Sequence, residues 1–177
     1  SQVLDFSPRS GSVAGGTTLA LVVDGFPAPG DEAFAEVMLG TTPCRVIATN
    51  HTTAACVTAA ATAGTAVLAA SVRGQSAALS ACSNGCGFAY SAANTPQVTQ
   101  VTRTSASSLA LAITGFGFAT SGGAGSHEVR VGTASCTPTN HSVDGRSLAC
   151  TLSAPLAAGS HTLELTRGGW GHAPLTP

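Results

Sequence analysis

Hydrophobic and polar residues alternate along this chain with a period of two, and the alternation comes in short bursts. Leu19, Leu21 and Val23 take turns with Ala20, Val22 and Asp24; far downstream, Leu109, Leu111 and Ile113 take turns with Ala110, Ala112 and Thr114. In the segment 161–166, Thr162, Glu164 and Thr166 fall on one side and Leu163 and Leu165 on the other. Successive side chains of a strand point to opposite faces, so the pattern predicts strands with one face buried. Breakers close each run: Pro27, Pro29 and Gly30, then the small-residue stretch 121–125, then Asp144-Gly145. Short strands with frequent turn signals predict an all-β architecture. The alanine-rich stretch 54–63 would suit a helix on propensity alone. Its interspersed threonines, and Pro155 in the matching downstream segment, predict strand plus loop instead.

The bursts recur. Leu19-Ala-Leu-Val-Val-Asp-Gly25-Phe26 matches Leu109-Ala-Leu-Ala-Ile-Thr-Gly115-Phe116, and Val37-Met-Leu-Gly40 matches Val129-Arg-Val-Gly132. Cys44 then pairs off with Cys136, Asn50-His51-Thr52 with Asn140-His141-Ser142, and Ala55-Cys56 with Ala149-Cys150. The segment from Gly64 to Arg73 matches that from Gly159 to Arg167. A unit of about 90 residues repeated in order is the size of one small β-sandwich. The fold class predicted is therefore two immunoglobulin-like antiparallel β-sandwiches in tandem, over residues 1–93 and 94–177, the second more divergent. Phe88-Ala-Tyr90 reads as the last strand of the first unit and the segment 97–102 as the first strand of the second, with Pro96 at the junction.

Composition narrows the function. Of the 177 residues 44% are hydrophobic and only 8% charged, yet the hydrophobic set is largely Ala and its uninterrupted runs are short. A spanning helix needs about 20 apolar residues, so no direct membrane contact is expected in this segment, and any anchor would lie elsewhere in a longer chain. The seven cations are all Arg, scattered singly from Arg9 to Arg167, with a formal net charge of −1. Nucleic-acid binding needs clustered cations against phosphate, so no nucleic-acid partner is expected.

The segment Phe6-Ser-Pro8-Arg-Ser-Gly11, followed by Gly15-Gly16-Thr17 and Gly25-Phe26, resembles the opening of the IPT/TIG domain. Val37, Gly40, Cys44, Cys56 and the closing Phe88-Ala-Tyr90 resemble the rest of that pattern. The resemblance covers 3–91 closely. Over 96–177 it is looser, since the segment 102–108 lacks the Pro-Gly and Gly-Gly-Thr elements and the closing aromatic strand is not evident. The family occurs extracellularly in plexins, the hepatocyte growth factor receptor and fibrocystin-like giant proteins, and inside cells in Rel-type transcription factors. The resemblance implies a binding or spacing module without catalysis of its own.

Six cysteines form three close pairs: Cys44 with Cys56, Cys82 with Cys86, and Cys136 with Cys150. The first and third occupy matching places in the repeats, and pairing across a strand-to-strand turn brings Cα atoms within disulfide reach. Zinc needs four converging ligands, and each repeat offers one pair with a nearby His, so disulfides are expected. Cys82-Ser-Asn-Gly-Cys86 is expected to close a small loop about its Asn84-Gly85 turn. Asn50-His51-Thr52 and Asn140-His141-Ser142 satisfy the N-glycosylation rule, whereas Asn94-Thr95-Pro96 fails it through Pro96. Disulfides and sequons both call for an oxidising secretory route and an extracellular or cell-surface location. The scattered histidines read as solvated or turn residues, and Asp31, Glu32 and Glu36 as a solvated loop short of the ligand count calcium needs. No nucleophile-elbow motif is present; no catalytic, cofactor-binding or metal-ligating residue is expected, no cofactor, and no enzymatic activity. Trp170, within Gly168-Gly-Trp-Gly171, reads as a core aromatic ahead of an exposed contact anchor. The expected role is a binding or adhesion pair from a larger surface or secreted protein, meeting a protein or glycan partner through loops or a sheet face. The alternative is a spacer repeat in an extracellular stalk or filament.

Overall fold

Three strands open the first layer: β1 (Gln2–Ser7) pairs antiparallel with β3 (Thr18–Asp24), which pairs antiparallel with β6 (Thr53–Thr58). The computed structural model describes residues 1–79, 85–103, 105, 108–118, 127–167 and 171–173, arranged as two compact units, 1–94 and 95–177. In unit 1 the facing layer holds β4 (Ala35–Leu39), β7 (Gly64–Val72) and β10 (Gly87–Ser91), edged by β2 (Ser10–Ser12). Two short strands add to these layers, β8 (Gln75–Ser76) beside β7 and β9 (Ala78–Leu79) parallel to β1. No α-helix occurs among the described residues.

One strand belongs to both layers. The first residues of β5 (Thr42–Thr49) pair with β4 and the remainder with β6, and Cys44 is the residue that faces a partner on each side, Val37 and Thr58. A bulge between Val46 and Ala48 bends the strand past this corner. Every second residue of β3, namely Leu19, Leu21 and Val23, is buried against Val37, Leu39, Leu68, Phe88 and Tyr90. Burying each of these side chains contributes roughly 1.5–3 kcal/mol, which is what fixes the period-two pattern to one face.

Unit 2 repeats the plan with seven strands among its described residues. β11 (Gln97–Arg103), β12 (Ala110–Phe116) and β15 (Ser147–Leu152) form one layer; β13 (His127–Val131), β16 (Leu163–Arg167) and β17 (Gly171–His172) form the other. β14 (Ala134–His141) joins both, and Cys136 faces Val129 and Leu152 at the corner. A bulge between Pro138 and Asn140 stands where β5 has its own. Among the described residues its core is built on Leu111, Ile113, Phe118, Val129, Leu148 and Leu165.

Pairing register corrects the repeat alignment read from the sequence. Leu19 faces Cys56 in unit 1, and the residue facing Cys150 in unit 2 is Leu111, not Leu109. The counterpart of Gly25-Phe26 is accordingly Gly117-Phe118, two residues beyond the Gly115-Phe116 that sequence matching selects. Conformation agrees: Gly25 and Gly117 both take positive φ, 70° and 79°, and each is followed by a fully buried Phe. Phe116 instead ends β12 and is 47% exposed.

Tyr90 carries a local cost. Its ring packs edge-on against Phe88 with centroids 4.9 Å apart, and its buried hydroxyl has no hydrogen-bond partner among the described residues. Burial pushes the phenol above the ordinary tyrosine range. Tyr90→Phe removes the unsatisfied group and should stabilise unit 1 by about 1 kcal/mol in denaturant titration. The sign of the pH effect follows from the raised value: the folded unit favours the neutral phenol, so this contribution holds below the ordinary tyrosine pKa and is lost as pH climbs above about 10. The alkaline decline should be shallower in Tyr90→Phe. A destabilised variant with an unchanged alkaline limb would show that the hydroxyl has a partner after all.

Candidate functional site

Both repeat cysteine pairs are bonded. Cys44 joins Cys56 with Cα atoms 5.5 Å apart, and Cys136 joins Cys150 at 5.4 Å. All four are buried, and each cystine ties the strand that changes layers to its neighbour at the point of the change. Cys86 is disulfide-bonded, while the expected pairing with Cys82 lies outside the described residues because Cys82 does. Trp170 also lies outside them.

Asn50 and Asn140 are both exposed, but they are not equivalent. Ala48 and Asn140 hold matching places, since each sits just past its bulge and faces Ala55 or Ala149. Asn50 lies two residues further on, in the turn between β5 and β6. There its Oδ1 accepts from the Thr52 N–H at 2.9 Å, the Thr53 N–H at 2.7 Å and the Thr52 hydroxyl at 3.1 Å. In unit 2 the matching Ser142 hydroxyl is taken up by its own turn, accepting from the N–H groups of Arg146 and Ser147 at 3.0 and 2.9 Å. The expectation of two sequons at one topological position is thus corrected by two residues.

The loop after Gly25 packs onto that first sequon turn. His51 Nδ1 lies 3.0 Å from the Phe26 carbonyl, Gly25 N–H donates to the His51 carbonyl at 3.1 Å, and the Thr49 hydroxyl donates to the Ala28 carbonyl at 3.3 Å. Between this loop and the β7–β8 turn opens a basin of about 420 Å³, lined by Phe26, Pro27, Ala28, Asp31, His51 and Arg73 with neighbouring backbone. On its acidic side the Gly30 N–H donates to Glu32 at 3.0 Å and holds that carboxyl below the ordinary range. Beside it Arg73 spreads over the ring of Phe34, 5.2 Å from the centroid, and Phe34 is itself 49% exposed.

Arg73 is the one non-glycine with positive φ among the described residues, at 51°, followed by Gly74 at 76°. Two successive positive values suit a two-residue hairpin turn, for which Asn-Gly is the favoured pair. Arginine there costs about 1 kcal/mol of backbone strain. Sequence reading gave no sign that Arg73 and His51, from distant segments, meet the loop after Gly25. The matching loop of unit 2, 118–126, lies almost wholly outside the described residues.

One histidine departs from expectation. His127 is buried, not solvated, with its ring 6.3 Å from Phe118 and 6.2 Å from the half-buried His141. Among the described residues no group of three or more His, Cys, Asp or Glu converges as a metal site, and no helix is long and apolar enough to cross a membrane.

The family model described as IPT/TIG domain matches residues 1–90 and again 96–177. No curated protein matches the chain by sequence. Among solved structures, the full plexin A4 extracellular region (domains 1 to 10) aligns over 93% of this chain at 12% identity, with a TM-score of 0.59. A second plexin A4 structure, with domains 1 to 8, aligns over 97% at 14% identity, with a TM-score of 0.50. The chain spans 14% and 17% of those two molecules. Invasin, a bacterial integrin-binding protein, aligns over 94% of the chain and 38% of its own at 19% identity, with a TM-score of 0.33. At such identities the likeness to the two plexin A4 structures is one of fold.

Proposed function

This chain belongs to the IPT/TIG domain family, with one match in each half, and from that premise we propose that it is a non-catalytic binding pair from the extracellular or surface part of a larger protein. Unit 1 meets a protein or glycan partner at its loop end, with Arg73 and Phe34 as anchors beside the basin. The observation that carries this reading is Arg73 itself: it sits strained at a turn where Asn would rest easily, stacked on an exposed aromatic ring. Strain at a surface residue that makes no core contact points to a role for its side chain. Arginine with an aromatic neighbour is also the residue type that dominates binding energy at interfaces. The cystines, buried and covalently closed, fit an oxidising compartment.

The test separates stability from binding. The secreted chain, presented as a labelled multimer, is applied to a glycan array and to intact cells. Arg73→Asn should melt at the same temperature as the parent or higher, yet lose binding by about tenfold, the loss of one hot-spot contact. Phe34→Ala should lose as much with little change in melting. If the parent binds neither array nor cells, the adhesion reading fails and the spacer role takes its place. Equal binding by both variants would remove this end of the unit from consideration.

A further inference from the structure

We propose that N-linked glycan, attached at Asn50 and Asn140, covers one and the same sheet face in both units and closes that face to protein partners. The proposal rests on the secretory reading above. Each asparagine lies in an acceptor tripeptide, is exposed, and keeps its Nδ2 free of hydrogen bonds among the described residues. In the transfer, that nitrogen displaces lipid diphosphate from the anomeric carbon of a diphosphate-activated oligosaccharide. A C–N bond forms, the C–O bond to diphosphate breaks, and one amide proton is released.

The two sites reach this face by different routes. On the outer side of β11–β12–β15–β14, cross-strand pairing lines up Thr102, Ala112, Ala149 and, at the end of the row, Asn140. On the matching side of unit 1 the row is Ser7, Ala20, Ala55 and Ala48. Asn50 stands in the turn two residues past Ala48, and it lines one shallow depression together with Ala20, Ala48 and Ala55 of this row. The acceptors are therefore displaced along the chain but not moved to another surface. In unit 1, Asn50 lies on the rim of a shallow depression of about 340 Å³ over this row, with Ala20, Val22 and Ala48 among its outward residues. Side chains this short leave room for a sugar ring to lie flat against the sheet. A partner is left the opposite layer and the loop end.

Because the chain has no lysine, it carries its own blank for amine footprinting. Ala20→Lys and Ala112→Lys each place a single side-chain amine on the proposed face; Val67→Lys, at a position 62% exposed on β7, places one on the other layer. The proteins are secreted from a eukaryotic host, disulfides are mapped, and sugars are removed enzymatically in heavy-oxygen water, which marks each released asparagine by mass. Both asparagines should be occupied. Acylation at positions 20 and 112 should be slowed several-fold by the sugar and recover on its removal, while position 67 should not change. Empty asparagines in a secreted, disulfide-bonded protein overturn this proposal and leave the binding reading standing. Reduced cysteines in the secreted protein overturn both. Occupied sites with unprotected amines show that the sugar points away, and the shielded face is then wrong.

Discussion

Replacing Cys44 and Cys56 together by alanine should cost unit 1 about 3 kcal/mol, the unfolded-state entropy that closing so short a loop removes. The cysteines are 12 residues apart, and the bond joins adjacent strands, so backbone hydrogen bonds alone could be thought to hold the corner. Magnitudes decide against that. A hydrogen bond contributes a net 1 kcal/mol or so, and the Val46–Ala48 bulge interrupts the ladder just past Cys44. A unit of this size has a total stability of only about 5–10 kcal/mol, so the loss is a large fraction of it. Tyr90 is the chain's one tyrosine and lies in unit 1, so its ultraviolet signal follows that unit through a urea titration. A double variant within 1 kcal/mol of the parent would show that the cystine is incidental to the corner.

Phe118→Ala should destabilise unit 2 by about 3–5 kcal/mol, while Phe116→Ala should cost less than about 1 kcal/mol. Phe118 is fully buried in the core of unit 2. Truncating it loses the transfer free energy of a phenyl ring and leaves a cavity that the surrounding strands cannot fill. Phe116 is half exposed, and the guanidinium of Arg146 lies 5.3 Å from its ring centroid. An exposed cation–π pair contributes about 0.5–1 kcal/mol. Phe26→Ala in unit 1 should resemble Phe118→Ala. Unfolding followed by hydrogen exchange, unit by unit, reads all three. A larger loss at Phe116 than at Phe118 would restore the alignment that the pairing register has displaced.

That displacement shows where sequence reading stops. Period-two alternation tells inside from outside, and a slide of two residues leaves inside and outside unchanged. Leu109-Ala-Leu and Leu111-Ala-Ile therefore look alike, and the run Gly115-Phe-Gly-Phe118 offers two Gly-Phe pairs to choose from. The clue that could have settled it was the distance to the first cysteine, 25 residues from Leu19 to Cys44 and again from Leu111 to Cys136, while the cysteines themselves are 12 residues apart in unit 1 and 14 in unit 2. Those two extra residues sit in the turn after β14, beyond Asn140; the second sequon falls inside a strand because Asn140 follows its cysteine by four residues, where Asn50 follows Cys44 by six. The all-β class and the tandem repeat were legible because alternation and matched motifs leave local marks in the sequence. The basin was not, because residues 26–31, His51 and Arg73 meet only after three separate turns reach the same end of the sandwich. The burial of His127 was hidden by its position at the start of a strand, where parity decides its side and chemistry does not.

The strand that changes layers has a consequence for how such a module ages after duplication. In unit 2 the Pro-Gly and Gly-Gly-Thr elements are gone, and among the described residues the partner of β4's counterpart spans five residues in β16, against nine in β7. The corner has not drifted: Cys136 still faces both layers, the bulge still follows it, and the bond to Cys150 still closes it. A covalent corner fixes the relation between the layers without help from the edges, so substitutions at the edges are released from that duty. Copies of this module can therefore diverge at their rims and loops while inheriting the one crossing that makes them the same fold.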